Sequence, residues 1–171
     1  MGLIVKDNKK SFDPVPEGMH QAICYRYYDL GTQYLERFGK KTRKVLLSFE
    51  IPSERILVKE DTETVNLPRS ISKEYSLSLH KKSTLRKDLG SWRGKLFTES
   101  ELEGFDLENI LGVNCVLQIV HVKREDNTYA NIANILPLIP EMTKKESENP
   151  IGYFSFDEEM KMPSDTPEWV Q

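Results

Sequence analysis

Cations and aromatic rings are the residues of this sequence with the most chemistry to offer. Arg37, Lys40, Lys41, Arg43 and Lys44 fall close together with no acid among them. Lys73, Lys81, Lys82, Arg86, Lys87, Arg93 and Lys95 form a second group, diluted by Glu74 and Asp88. Tyr34 and Phe38 lie in or beside the first cluster, Tyr25, Tyr27 and Tyr28 precede it, and Tyr75 and Tyr129 neighbour Lys73 and Arg124 in sequence. Cations that track phosphates and rings that stack on bases are what a sequence-indifferent single-strand binder needs, each stack being worth roughly 1–3 kcal/mol. The same cations also suit a solvated, charge-mixed surface. Tyr25 and Tyr27 alternate with Tyr28, so one of these two faces is expected to be core. Tyr34 and Phe38, in a polar segment flanked by arginine and lysine, have less reason to be buried.

The last 26 residues are a separate constellation. Glu146, Glu148, Asp157, Glu158, Glu159, Asp165 and Glu168 stand there against Lys161 alone, so a net charge of −3 for the 171 residues hides an acidic end and a mildly basic body. Trp169 and Val170 supply an apolar anchor beside the acids. Such a segment can compete with nucleic acid for a basic groove or dock on a partner protein; a plain solubilising tail fits the same composition. Enzyme motifs are scarce. No two glycines are separated by a single residue, and Gly90–Lys95 is one residue too short for a phosphate loop. His20, His80 and His121 lack zinc-like spacing, and Asp61, Glu63 and Glu74 near Lys73 lack the pattern of a metal-dependent nuclease. The chain is expected to be non-catalytic, with no metal and no cofactor.

The elements that must position these groups are mostly strands. With 24 Lys+Arg, 27 Asp+Glu and 38% apolar residues, one globular domain with ragged ends is expected. No apolar run approaches a membrane span, and Met1–Lys10 is too polar for a signal peptide, so a cytosolic location with no membrane partner is expected. Cys24 and Cys115 read as buried reduced thiols. Pro14, Pro16 and Gly18 favour an extended lead-in over 1–18. Strands are expected over 21–30, 43–51 and 71–79, with a polar connection over 31–41 and a long acidic excursion over 53–69. Helical signals follow: Ser83 as a cap with Leu85, Leu89 and Trp92 at helical spacing until Gly94, then Thr98 and Asp106 as caps of two short turns ended by Gly104 and Gly112. Two strands, 115–122 and 128–136, flank a hairpin loop over Lys123–Asn127.

Three strands, a helical insert and two strands are the order of a five-stranded OB-fold-like barrel, which binds oligonucleotides with strands two and three and the loops joining strands one to two and four to five. The domain is expected over 19–140 and a flexible acidic tail over 141–171. A small α+β domain with an open meander fits the same string. Phe12–Gly18, Leu85–Lys95, Phe105–Leu107, Leu111–Gly112 and Tyr129–Ile132 resemble a family of phage and prophage proteins similar to single-stranded DNA-binding proteins of the OB-fold type. The resemblance implies a coat for exposed single strands in phage DNA replication or recombination, in the cytoplasm of a bacterial host. The chain ends in Trp169–Gln171, where bacterial single-strand binders carry an acidic-Phe signature. The expected DNA-binding residues are Tyr34, Arg37, Phe38, Lys40, Lys41, Arg43, Lys44, Lys73, Tyr75, Lys123, Arg124 and Tyr129. Asp157, Glu158, Glu159, Asp165, Glu168 and Trp169 form the expected partner-binding tail, directed at replication or recombination proteins; self-association is left open. The competing expectation is a protein-interaction or host-inhibition factor in which the barrel is a scaffold and the tail is the working part.

Overall fold

The computed structural model describes residues 13–35 and 40–155. Strands β1 (Gly18–Leu35), β2 (Lys40–Glu60) and β3 (Glu63–Ser76) are followed by helices α1 (Thr84–Arg93) and α2 (Glu99–Glu103) and a 3-10 turn at Leu107–Ile110. Strands β4 (Asn114–Arg124), β5 (Asn127–Leu136) and the short β6 (Gly152–Ser155) complete the order. The mainly β body is an antiparallel sheet in the order β3-β2-β1-β4-β5, curled as a half-barrel, with β6 pairing in parallel with β1. Among the described residues no helix is long and apolar enough to cross a membrane.

The curl has local causes. The β1–β2 register breaks between Cys24 and Arg26 and again between Asp29 and Gly31, the β2–β3 register between Ile51 and Arg55, and the β4–β5 register between Gln118 and Ile119. An extra residue on one strand bends it and increases its twist. The break at Tyr25 also resets the alternation: Cys24 and Tyr27 both face inward opposite Phe49 and Leu47, while Arg26 and Tyr28 face outward. Tyr25 and Tyr27 therefore do not share a face, contrary to the expected alternation.

Val45, Leu47, Phe49 and Ile51 of β2 line the core with Cys115, Leu117 and Ile119 of β4 and Ile132 and Ile135 of β5. Helix α1 packs on β3 and β5, the two outer strands of the sheet, through Leu85, Leu89 and Trp92. The Phe49 and Trp92 rings meet at 5.6 Å, and Trp92 donates its indole N–H to the Asn114 carbonyl at 2.9 Å. Ser83 caps α1 by accepting from the Arg86 N–H, and Gly94 ends it in the left-handed region at φ 71.

Three stretches differ from the sequence expectation. Residues 53–69 are not an irregular excursion: β2 and β3 continue as a ladder from Arg55↔Pro68 to Glu60↔Glu63 around a turn at Asp61. The polar connection expected over 31–41 is largely strand, since β1 runs to Leu35 and β2 resumes at Lys40. The hydrogen bonds of a ladder run between backbone groups whatever the side chains, and the outward-facing groups can be met by water, so polar sequence does not end it. The boundary expected at 140 falls ahead of a packed segment. Gln21 donates to the Thr143 carbonyl, Asn114 exchanges hydrogen bonds with the Lys145 backbone, Glu148 and Asn149 bond to Glu50, and β6 pairs with β1. This strap over 143–155 lies on the sheet, and the chain stays on the body as far as Ser155.

Candidate nucleic-acid interface

At the β4–β5 hairpin the structure brings a ring and cations together. Tyr129 pairs with Val122 and Arg124 with Asn127, so Tyr129 and Arg124 share one face, diagonal to each other across the ladder. Tyr129 is 48% exposed. With Ala130, Asn131 and Glu125 the two line a cleft of about 480 Å³. Lys123 and Arg124 sit at the end of β4, ahead of a turn of only Glu125 and Asp126, so they belong to the strand and not to the loop expected there. Neither forms an ion pair among the described residues. The face offers a guanidinium for a phosphate and an open ring for a base.

The other expected cations fare differently. Arg43 and Lys44 lie on β2, paired with Thr32 and Gly31. Arg43 is ion-paired with the buried Asp29, and Lys44 donates to Ser76 at 3.2 Å and lies 4.0 Å from Glu74. Their charges are already partly met. The backbones of Tyr34, Lys40 and Lys41 lie in the β1–β2 ladder, as Tyr34↔Lys41 and Leu35↔Lys40. Arg37 and Phe38, and the tail residues Asp157, Glu158, Glu159, Asp165, Glu168 and Trp169, fall outside the described residues.

Lys73 and Tyr75 do not belong to an interface. Tyr75 is 2% exposed and donates its hydroxyl to Asp88 of α1 at 2.7 Å. Lys73 reaches the same carboxylate at 2.8 Å and the Ile132 carbonyl of β5 at 3.3 Å. Burial and the Asp88 carboxylate push the Tyr75 hydroxyl well above the usual tyrosine range. The group ties β3, α1 and β5 together where β3 and β5 share no ladder. Its loss to the core removes two of the expected ligand contacts, because a base cannot stack on a ring with no free face.

Other rings and titratable groups are also structural. Tyr28 is buried on the outer face with Leu46, and Tyr27 stacks on Tyr153 at 5.2 Å. Tyr25 is half-buried, which raises its hydroxyl despite a hydrogen bond with Ser70. His20 and His121 hold the lead-in through the Pro16 and Val15 carbonyls at 2.7 and 2.8 Å. Burial pushes the Cys24 thiol up to about 12 and raises Cys115 as well. No group of three or more His, Cys, Asp or Glu side chains able to hold a metal ion occurs among the described residues.

Sequence reasoning missed Tyr153, 41% exposed on β6, and the buried Glu50. Glu50 sits on the polar side of an alternating strand, and only the distant strap reveals that this side is covered. Comparison of the chain with protein-family models, curated proteins and solved structures finds no match.

Proposed function

We propose that the protein is a non-catalytic single-stranded DNA-binding module on an OB-type barrel, acting in phage DNA replication or recombination in the cytoplasm of a bacterial host. The observation that carries this reading is the exposed Tyr129 beside Arg124 and Lys123 on one hairpin, a ring and two cations that form no ion pair among the described residues. The curled sheet in the order β3-β2-β1-β4-β5, with helix between β3 and β4, supports it, since the β4–β5 connection is one of the two by which such barrels hold oligonucleotides. The β1–β2 arm, carrying Lys40, Lys41, Arg43 and Lys44 on β2, is the second. Asp157, Glu158, Glu159, Asp165, Glu168 and Trp169 are then the segment offered to replication or recombination proteins.

The test is fluorescence anisotropy of a labelled oligo-dT of about 30 nucleotides, titrated with the full chain at two salt concentrations. Binding should weaken with salt, by a log–log slope of about 0.7 per phosphate contacted. Tyr129→Ala should weaken it by about 1–3 kcal/mol, roughly five- to 150-fold. Absence of binding at low salt, or binding indifferent to Tyr129 and Arg124, would overturn the proposal.

A further inference from the structure

The second basic group of the sequence is sorted by the fold into two kinds. Lys73 and Arg93 turn to Asp88 and Glu101 and are neutralised there. Lys81, Arg86, Lys87 and Lys95 instead line a single cleft of about 620 Å³ along the solvent side of α1, together with Gly90, Ser91, Gly94, Leu96 and Phe97. No acid lines this cleft, and none of its four cations has an acidic partner among the described residues. The Arg86 guanidinium donates to the Leu79 carbonyl, at 3.3 Å. We propose that this cleft is a second nucleic-acid contact, one that holds the sugar–phosphate backbone and reads no base. The inference rests on the reading of the protein as a DNA binder and adds a surface on the helix to the hairpin interface.

Two features of α1 run against helix stability and are explained by a ligand. The first is charge. Lys81, Arg86 and Lys87 sit at or just before the first turns, and the first turn of α1 holds no acid, whereas α2 places Glu99 and Glu101 there. Cations oppose the positive end of a helix dipole, so helix stability alone would select the reverse. The second is Gly90, in the helix interior. A side chain there would meet only the Lys95 carbonyl, at an ordinary 3.8 Å, so no close packing within the protein requires glycine. Glycine inside a helix is unfavourable. With Ser91 and Gly94 it leaves the cleft floor open, and a polyanion can reach the backbone between flanking cations. The one ring lining the cleft, Phe97, is buried, so the cleft supplies charge without a stacking platform. That chemistry fits phosphodiesters and is indifferent to the bases they carry.

The experiment is amide chemical-shift mapping on the full chain with three probes: a 12-nucleotide oligo-dT, an abasic deoxyribose-phosphate oligomer of the same length, and a polyglutamate peptide. The expected result is movement of the Lys87, Gly90, Ser91 and Lys95 amides with oligo-dT and abasic oligomer alike, reversed by high salt. In the Lys87→Glu/Lys95→Glu variant this response should vanish, and the log–log salt slope of oligo-dT binding should fall by about 1.4, two phosphate contacts at about 0.7 each. Shifts at Arg124 and Tyr129 with α1 silent would overturn the cleft and leave the DNA-binding reading standing. Shifts at α1 with both oligomers and none at the β4–β5 hairpin would support the cleft and overturn the hairpin as the interface. Silence throughout would overturn both. A response to polyglutamate and not to the abasic oligomer would overturn nucleic acid as the occupant.

Discussion

Removal of the Glu50 carboxylate should release the strap. Glu50 is 0% exposed on the outer face of β2, and its oxygens accept from the Glu148 N–H at 2.8 Å, the Asn149 N–H at 3.0 Å and the Asn149 side-chain amide at 2.6 Å. In Glu50→Ala two backbone N–H groups lose their acceptor, and an unmet buried donor costs about 1–3 kcal/mol. The strap can limit that cost by lifting and regaining water, at the expense of its other holds. The Arg55–Glu148 pair is open to solvent, so screening leaves it a weak hold. A net loss of about 2–4 kcal/mol follows. With a urea dependence of about 2 kcal/mol/M the unfolding midpoint should fall by about 1–2 M. Trypsin should cut faster after Lys144 and Lys145, in a stretch held by Gln21 at the Thr143 carbonyl and by Asn114 at the Lys145 backbone only while the strap is down. Glu50→Gln, which keeps one acceptor oxygen, should fall between wild type and Glu50→Ala. An unchanged midpoint together with unchanged cleavage would refute the carboxylate as the anchor.

Further outcomes follow from the same geometry. Gly90→Ala should raise stability by about 0.5–1 kcal/mol, because its surroundings accept a methyl group, while Gly94→Ala, at φ 71, should lower it by about 1 kcal/mol; thermal unfolding reads both. The Arg93 guanidinium and the Thr98 backbone N–H hold the Glu101 carboxyl down at about 2. A carboxylate with a depressed folded-state pKa stabilises above its ordinary range and loses that contribution as pH falls through the folded value. The Thr98 amide resonance should therefore keep its position at pH 3.5 and move near pH 2. Cys24 and Cys115, with thiols raised by burial, should not react with a disulfide reagent at pH 8 until the protein is unfolded in urea.

Sequence alone determined the features that depend on neighbours in the chain. Ser83 and Gly94 mark both ends of α1, and Leu85, Leu89 and Trp92 its buried face. The alternation of Val45, Leu47, Phe49 and Ile51 identifies the inward side of β2. Tyr129 with Arg124 was also legible, because a polar turn between two alternating runs leaves its flanks at the surface. Tertiary structure decided what depends on distant partners. Period two puts Lys73 and Tyr75 on one side of β3, but only Asp88, brought in by α1, makes that side a closed seam. The register break at Tyr25 turns Tyr27 inward and Tyr28 outward, and no local composition signals a bulge. Glu50 reads as solvent-facing until residues 148 and 149 arrive to bond it. A helix cap or a strand period is a property of a few consecutive residues, whereas the burial of a charge is set by whichever remote segment supplies its hydrogen bonds.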